Sequence, residues 1–210
     1  MRFVLCLLAG LSFSCLAHAR NLSDLRTFGD LSTTTLYLFT SPSCPHCRDF
    51  HKGIFPDLLK QYVNTKKIQI AIVDMPFDET TMQAVMLMRC LPEQKSAKMM
   101  GWLYENQSKW TQSSNPKFLF QQYAGALGMK SAEVEACLNN DQLRSDIEDQ
   151  RNNLSALYGV RGWPTVALRH GNNVKLYTGT DRRAILTGVK NDIRGFIEED
   201  KKRQLQKKKK

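Results

Sequence analysis

Cys44-Pro-His-Cys47 stands between an apolar run, Leu36-Tyr-Leu-Phe39, and apolar positions that recur at helical spacing: Phe50, Ile54, Phe55, Leu58, Leu59 and Val63. The run is bounded by Thr33 to Thr35 and by Ser41-Pro42-Ser43, which predicts a buried strand. Pro56 can kink or divide the helix that follows. Ile68-Gln-Ile-Ala-Ile-Val73 reads as a second strand, so strand, cysteine-led helix and strand form a βαβ unit. Two thiols at a strand-to-helix turn of an α/β unit constrain the fold more tightly than any bulk property of the chain.

From Thr80 to about Leu157 the pattern becomes Met- and Ala-rich with helical periodicity, broken at Leu91-Pro92, Asn115-Pro116 and Gly128 to Ser131. Four or five helices are expected there. Strand character returns over Val160 to Leu168 and again over Val174 to Tyr177, after the turn Gly171-Asn172-Asn173. Arg182 to Ile197 closes the pattern as an amphipathic helix. The expected organisation is a signal peptide over 1–19, an α/β half over 20–79, an inserted helical domain over 80–157, a second α/β half over 158–200 and a basic tail over 201–210.

The leader has three parts: Arg2, an unbroken apolar stretch from Phe3 to Leu11, and the small-residue end Ala17-His18-Ala19. These are the parts of a cleaved secretory signal, which predicts a mature chain starting at Arg20 in the periplasm. The uncharged stretch from Phe3 to Ala17 is short for a membrane span, which takes about 20 apolar residues. Cys15 would suit a lipoprotein only with Leu three residues earlier, where Ser12 stands. Cleavage removes Cys6 and Cys15 and leaves Cys44, Cys47, Cys90 and Cys137 where disulfides persist.

The formal net charge of +10 is mostly terminal. Lys201, Lys202, Arg203 and Lys207 to Lys210 carry seven charges, and residues 20–200 hold 22 basic and 20 acidic side chains. A nearly neutral body argues against nucleic acid as a partner. The tail is expected to be a solvated end, with contact to anionic membrane through Lys207 to Lys210 as the alternative.

In a CxxC that opens a helix, the first cysteine lies near the N-cap, where unpaired N–H groups and the positive dipole end favour a thiolate. Pro45 suits the first helical position because its missing N–H would have had no partner. Cys44 is therefore expected exposed and nucleophilic, with Cys47 one turn in as the resolving thiol. A dipole effect of about 0.3 to 1 kcal/mol accounts for less than one pKa unit at about 1.4 kcal/mol per unit. His46, between the thiols, is the candidate for the remaining stabilisation. Stabilising the reduced form makes the disulfide a stronger oxidant.

Rival readings are weaker. Zinc wants four ligands, and the mature chain outside the motif offers only His51, His170 and two isolated cysteines. Neither a metal nor a cofactor is expected. A purely structural disulfide across two residues closes almost no loop and stabilises little.

A proline where the chain re-enters a strand strengthens the redox reading, and Gly159-Val-Arg-Gly-Trp-Pro164-Thr-Val-Ala supplies it. With that segment in view, FTSPSCPHCRDF and YGVRGWPTVALRHG, separated by a helical stretch, resemble the DsbA-type thiol oxidases of the thioredoxin superfamily. The likeness covers most of Arg20 to about Glu199, though its specific motifs are these two. It implies a thioredoxin fold with an inserted helical domain. It also implies a cis bond before Pro164, Cys44 as nucleophile, Cys47 as resolving thiol, His46 as tuning residue, and Trp163 and Pro164 as a substrate ledge beside Pro45. Relatives commonly carry a small or branched residue where Trp163 stands, so both redox poise and substrate choice are expected to differ, unless the indole is only a half-buried aromatic.

The implied activity is dithiol oxidation of reduced, unfolded exported proteins by a monomer, with a quinone-linked membrane reoxidase of the DsbB type restoring the disulfide. The DsbC-like isomerases and reductases are the nearest alternative. They dimerise through an added N-terminal segment, which the fifteen or so residues before the first strand do not suggest. A redox-inert peptide-binding or chaperone module is the third reading.

Three secondary expectations complete the sequence view. Cys90 and Cys137, left without other partners, are expected to form a structural disulfide, or else to sit buried and reduced. Met82, Met86, Met88, Met99 and Met100 are expected in the core, with an adaptable docking surface as the alternative. His51 is expected at the surface.

Overall fold

The computed structural model describes residues 25–207. The expected signal peptide, Cys6, Cys15 and the last three lysines lie outside the described residues.

Five strands form one mixed sheet in the order β1-β3-β2-β4-β5. They are β1 (Arg26–Phe28), β2 (Thr34–Thr40), β3 (Gln69–Asp74), β4 (Thr165–His170) and β5 (Asn173–Thr178). β2 lies parallel to β3, with Leu36 opposite Ile70 and Leu38 opposite Ile72. On its other side β2 runs antiparallel to β4, with Leu36 opposite Leu168 and Leu38 opposite Val166. The two-residue period therefore lines one face with Leu36, Leu38, Ile70, Ile72, Val166 and Leu168, all in the main core. The opposite face carries Tyr37, Phe39, Ala71, Val73 and Ala167. β1 escapes the sequence reading because three residues show no periodicity; it gains its register only by pairing antiparallel to β3.

After β2 come α1 (Pro45–Gly53), α2 (Phe55–Leu58) and a wide π turn over Leu59–Val63. The break between the first two falls just before Pro56, whose ring cannot continue the α1 ladder. Six helices rather than four or five fill the interval before β4: α3 (Glu79–Cys90), α4 (Glu93–Glu105), α5 (Gln107–Thr111), α6 (Pro116–Ala126), α7 (Ser131–Leu138) and α8 (Asp141–Tyr158). Asp78, Asn115 and Asn140 each accept a backbone N–H at the start of α3, α6 and α8.

α8 packs with the other inserted helices through Leu143 and Ile147, but its C-terminal part leaves them. Its Leu154 and Tyr158, four residues apart on one face, cover the second face of the sheet against Tyr37, Phe39 and Val73. Gly159 then ends the helix in the left-handed region at φ 64°, where a side chain would be strained. α9 (Arg182–Lys207) packs Ile185, Val189, Ile193 and Phe196 on the main core and continues ten residues beyond the expected end at Ile197. Its last part, Lys201 to Lys207, is exposed helix.

Cys90 and Cys137 are joined in a disulfide that ties α3 to α7. All five of the methionines named above are buried, so they fill the core and offer no surface for docking. Asp74, at the end of β3, lies buried between two guanidinium groups. It bonds to Arg26 and, at 2.8 Å, to Arg89 Nε, while Arg89 also donates to Gln150 at 2.7 Å.

Candidate active site

Central strand β2 ends at Thr40, and a tight Ser41 to Ser43 turn leads into α1. The Cys44 N–H donates to the Ser41 carbonyl at 3.1 Å, and the Arg48 N–H donates back to the Cys44 carbonyl at 3.0 Å. Cys44 is thereby the N-cap of α1, with extended backbone angles, and Pro45 occupies the first helical turn. Where a cap is usually a serine or aspartate oxygen, this one is a sulfur. No side-chain capping bond closes in the reduced state, so the unpaired first-turn N–H groups face the thiol.

Cys44 is half-buried and Cys47 buried, both free. The Cys44 thiol is lowered from an ordinary 9.0 to about 6. The main cause is a hydrogen bond from the Cys47 thiol; burial opposes it, and the Cys47 and His46 backbone N–H groups and the charge of His46 add smaller contributions. His46 is exposed. Its charge and its backbone N–H both lower the Cys44 thiol, after the larger contribution of the resolving cysteine. Burial pushes the Cys47 thiol far up, its hydrogen bond to Cys44 adds to this, and bonds from the Ser41 N–H, at 3.4 Å, and from the Thr40 side chain oppose it.

The second motif meets the first here. The Trp163–Pro164 peptide bond is cis, and the Cys44 sulfur lies 3.8 Å from the Trp163 carbonyl oxygen. Trp163 is partly exposed and Pro45 exposed, whereas Pro164 is buried. Trp163 is therefore open to solvent in part, whereas the proline ring is not. Phe77, 55% exposed, stacks on Trp163 with ring centroids 5.9 Å apart.

Sequence reasoning missed three polar residues. Gln107, on α5 and 3% exposed, donates to the carbonyls of Pro42 and Cys44 at 2.8 and 2.9 Å. Thr40 and Tyr104 bond to each other at 2.7 Å beneath Cys47. None belongs to a motif, and α5, Gln-Ser-Lys-Trp-Thr, is too polar for Gln107 to stand out in the sequence. His51, expected at the surface, is partly buried. It lies between Tyr104 and Phe55, with centroids 4.5 and 5.1 Å away, and burial lowers its pKa to about 4, helped by the Arg26 and Lys52 charges. Among the described residues, no group of three or more His, Cys, Asp or Glu side chains is arranged to hold a metal ion.

A family model described as thioredoxin matches residues 26–181, from β1 to just before α9. The chain belongs to the thioredoxin family. Its fold is that of DsbA proteins: α-DsbA1 of Wolbachia pipientis superposes with a TM-score of 0.73 over 83% of this chain and 92% of that one, at 18% identity. BdbD of Bacillus subtilis, in its oxidised form, gives 0.71 over 85% and 95%, at 17% identity. A Rickettsia conorii protein provisionally named protein-disulfide oxidoreductase is 31% identical over 106 residues, which cover 50% of this chain. A similarly named protein of Rickettsia prowazekii is 30% identical over 110 residues. This thioredoxin-family chain spans about two fifths of the length of these curated relatives.

Proposed function

We propose that this protein is a thiol:disulfide oxidase that introduces disulfides into reduced exported proteins through Cys44 and Cys47. One observation carries the reading: a half-buried N-cap thiol lowered to about 6 beside a buried thiol raised far above the ordinary range. Such a pair is ionised at Cys44 when reduced, and the ionised form opposes closure of the disulfide. The names of the Rickettsia relatives support the same class of chemistry.

In the oxidised protein, a substrate thiolate attacks the Cys44 sulfur. A substrate–Cys44 disulfide forms, the Cys44–Cys47 bond breaks, and its electron pair passes to Cys47. A second substrate thiolate then attacks the substrate sulfur of the mixed disulfide, and Cys44 leaves as a stabilised thiolate. The substrate has lost two electrons and the protein has gained them. The Trp163 carbonyl, beside the Cys44 sulfur, suits pairing with an extended substrate strand.

The leader fits secretion to the periplasm, and a membrane quinone-linked oxidase of the DsbB type would restore the disulfide. Contact with anionic lipid through Lys207 to Lys210 would bring the two together. The test is the equilibrium of the Cys44/Cys47 pair with glutathione, coupled to oxidation of a reduced test protein. Oxidation that is lost in Cys44→Ala, with a potential well above that of thioredoxin, is expected. A pair more reducing than thioredoxin would make the protein a reductase, and oxidation unchanged by Cys44→Ala would leave a redox-inert binding module.

A further inference from the structure

Two cysteine pairs lie among the described residues, and helix ends act on them in opposite ways. Cys44 opens α1, where unpaired N–H groups favour an anionic sulfur. Cys90 is the last residue of α3 and Cys137 the last but one of α7. Both stand at the negative ends of their helices, where an anionic sulfur is disfavoured. The Met86 carbonyl oxygen, 3.2 Å from the Cys137 sulfur, adds to this. A pair whose thiolates are disfavoured keeps its disulfide, whereas a pair with a favoured thiolate gives its disulfide away. Electrons therefore run from reduced Cys90 and Cys137 to a Cys44–Cys47 disulfide.

The second pair is also laid out for exchange. Cys90 is exposed and Cys137 is 5% exposed, an outer and an inner sulfur like Cys44 and Cys47. Leu91 is extended, so α3 stops at Cys90, which borders a groove of about 530 Å³ lined also by Cys137, Leu127 and Met129. Transfer within one copy is excluded. Ser43, beside Cys44, bonds to Thr81 in the first turn of α3 at 2.8 Å. Cys90 lies nine positions further along that helix, about 14 Å at 1.5 Å per residue, whereas disulfide-bonded cysteines hold their Cα atoms within about 7 Å. The oxidant must be a second molecule.

We propose that this protein is a substrate of its own kind: the Cys44–Cys47 disulfide of one copy installs the Cys90–Cys137 disulfide of another, entering at Cys90. This rests on the proposed oxidase role of Cys44 and Cys47. The Cys90 thiolate of the reduced copy attacks the Cys44 sulfur of the oxidised copy, and the electron pair of the Cys44–Cys47 bond passes to Cys47. Cys137 then gives up its proton and attacks the Cys90 sulfur, and Cys44 leaves as a thiolate. Cys90 and Cys137 have lost two electrons, and Cys44 and Cys47 have gained them. Of the two thiol protons, one ends on Cys47 and the other in solvent.

The test mixes oxidised wild-type protein with a reduced Cys44→Ala/Cys47→Ala copy, and follows Cys90 and Cys137 of that copy by alkylation and intact mass. Closure is expected to be favoured over its reverse at pH 7 by at least about tenfold, the bias supplied by a Cys44 thiol at about 6 rather than 9.0. For the entry point, a Cys47→Ala copy carrying thionitrobenzoate on Cys44 is mixed with reduced copies that keep only Cys90 or only Cys137 of the second pair. Cross-linking should be several times faster through Cys90. Both measurements use reduced copies whose circular dichroism matches the wild type. Closure no faster than with oxidised glutathione at equal disulfide concentration, or equal cross-linking through the two cysteines, overturns the proposal. If the wild type still oxidises a reduced unrelated protein, the oxidase reading stands; failure on both substrates overturns that reading as well.

Discussion

Gln107 donates from its buried side-chain amide to the carbonyl of Cys44 at 2.9 Å, across 63 residues of sequence. The same amide holds the Pro42 carbonyl at 2.8 Å, so a helix of the insertion fixes the turn that aims the nucleophile. Gln107→Leu leaves the Pro42 carbonyl without this partner inside the protein. The expected loss is about 1 to 3 kcal/mol of stability, together with a rise in the Cys44 pKa as the turn loosens. Thermal unfolding and the pH dependence of alkylation measure the two; if neither moves, Gln107 is only filling space.

The Cys44 thiol sets a pH window. Its pKa is depressed from an ordinary 9.0 to about 6 on folding, so its contribution to the reduced protein is present above the unfolded value and is lost as pH falls through about 6. The oxidised protein has no such thiol. The stability advantage of the reduced over the oxidised form should therefore shrink on acidification towards pH 6, and the alkylation rate should titrate with a midpoint near there. A midpoint close to 9 would remove the driving force for oxidation.

Phe77 and Trp163 make an aromatic wall beside Cys44. Trp163→Ala should raise KM two- to tenfold for peptides with an apolar residue next to the cysteine, in line with the roughly 0.5 to 1.5 kcal/mol of an aromatic contact. kcat should change little, and Phe77→Ala should act in the same direction more weakly. Equal effects on peptides with polar flanks would show that the wall does not select.

The Cys90–Cys137 bond spans a sequence separation of 47. In the chain-entropy model a loop of that size contributes up to about 4 kcal/mol by restricting the unfolded chain. Cys90→Ser with Cys137→Ser should lower the unfolding midpoint of the protein while leaving the potential of Cys44/Cys47 within error. A shifted potential would mean that the clamp reaches the site.

Asp74, itself buried, is the carboxylate shared by the largely buried guanidinium groups of Arg26 and Arg89. Asp74→Ala should destabilise by about 3 to 5 kcal/mol, because the positive charges stay buried after their carboxylate is removed. Denaturant unfolding measures this; a loss under about 1 kcal/mol would show that water reaches the guanidinium groups.

Residues adjacent in the chain made much of this protein readable before any coordinates. The strand before Cys44, the cap position of that cysteine and the strand after Pro164 are local properties: each depends on periodicity over a few residues or on the geometry of a single turn. The inserted helices were visible as a block, but their number was not, because short turns such as the one at Asn106 carry neither Gly nor Pro.

Packing decided the rest. Whether α8 belongs with the insertion or against the sheet depends on which surface receives Leu154 and Tyr158. His51 and Lys52 are neighbours on α1, yet only His51 meets the rings of Tyr104 and Phe55. The bonds from Gln107 to Cys44 and between Tyr104 and Thr40 join residues more than 60 positions apart. Spacing along a chain encodes which side chains share a face of one element. Which faces meet is set by the burial of many side chains at once, and the reactivity of the cysteine pair depends on those meetings.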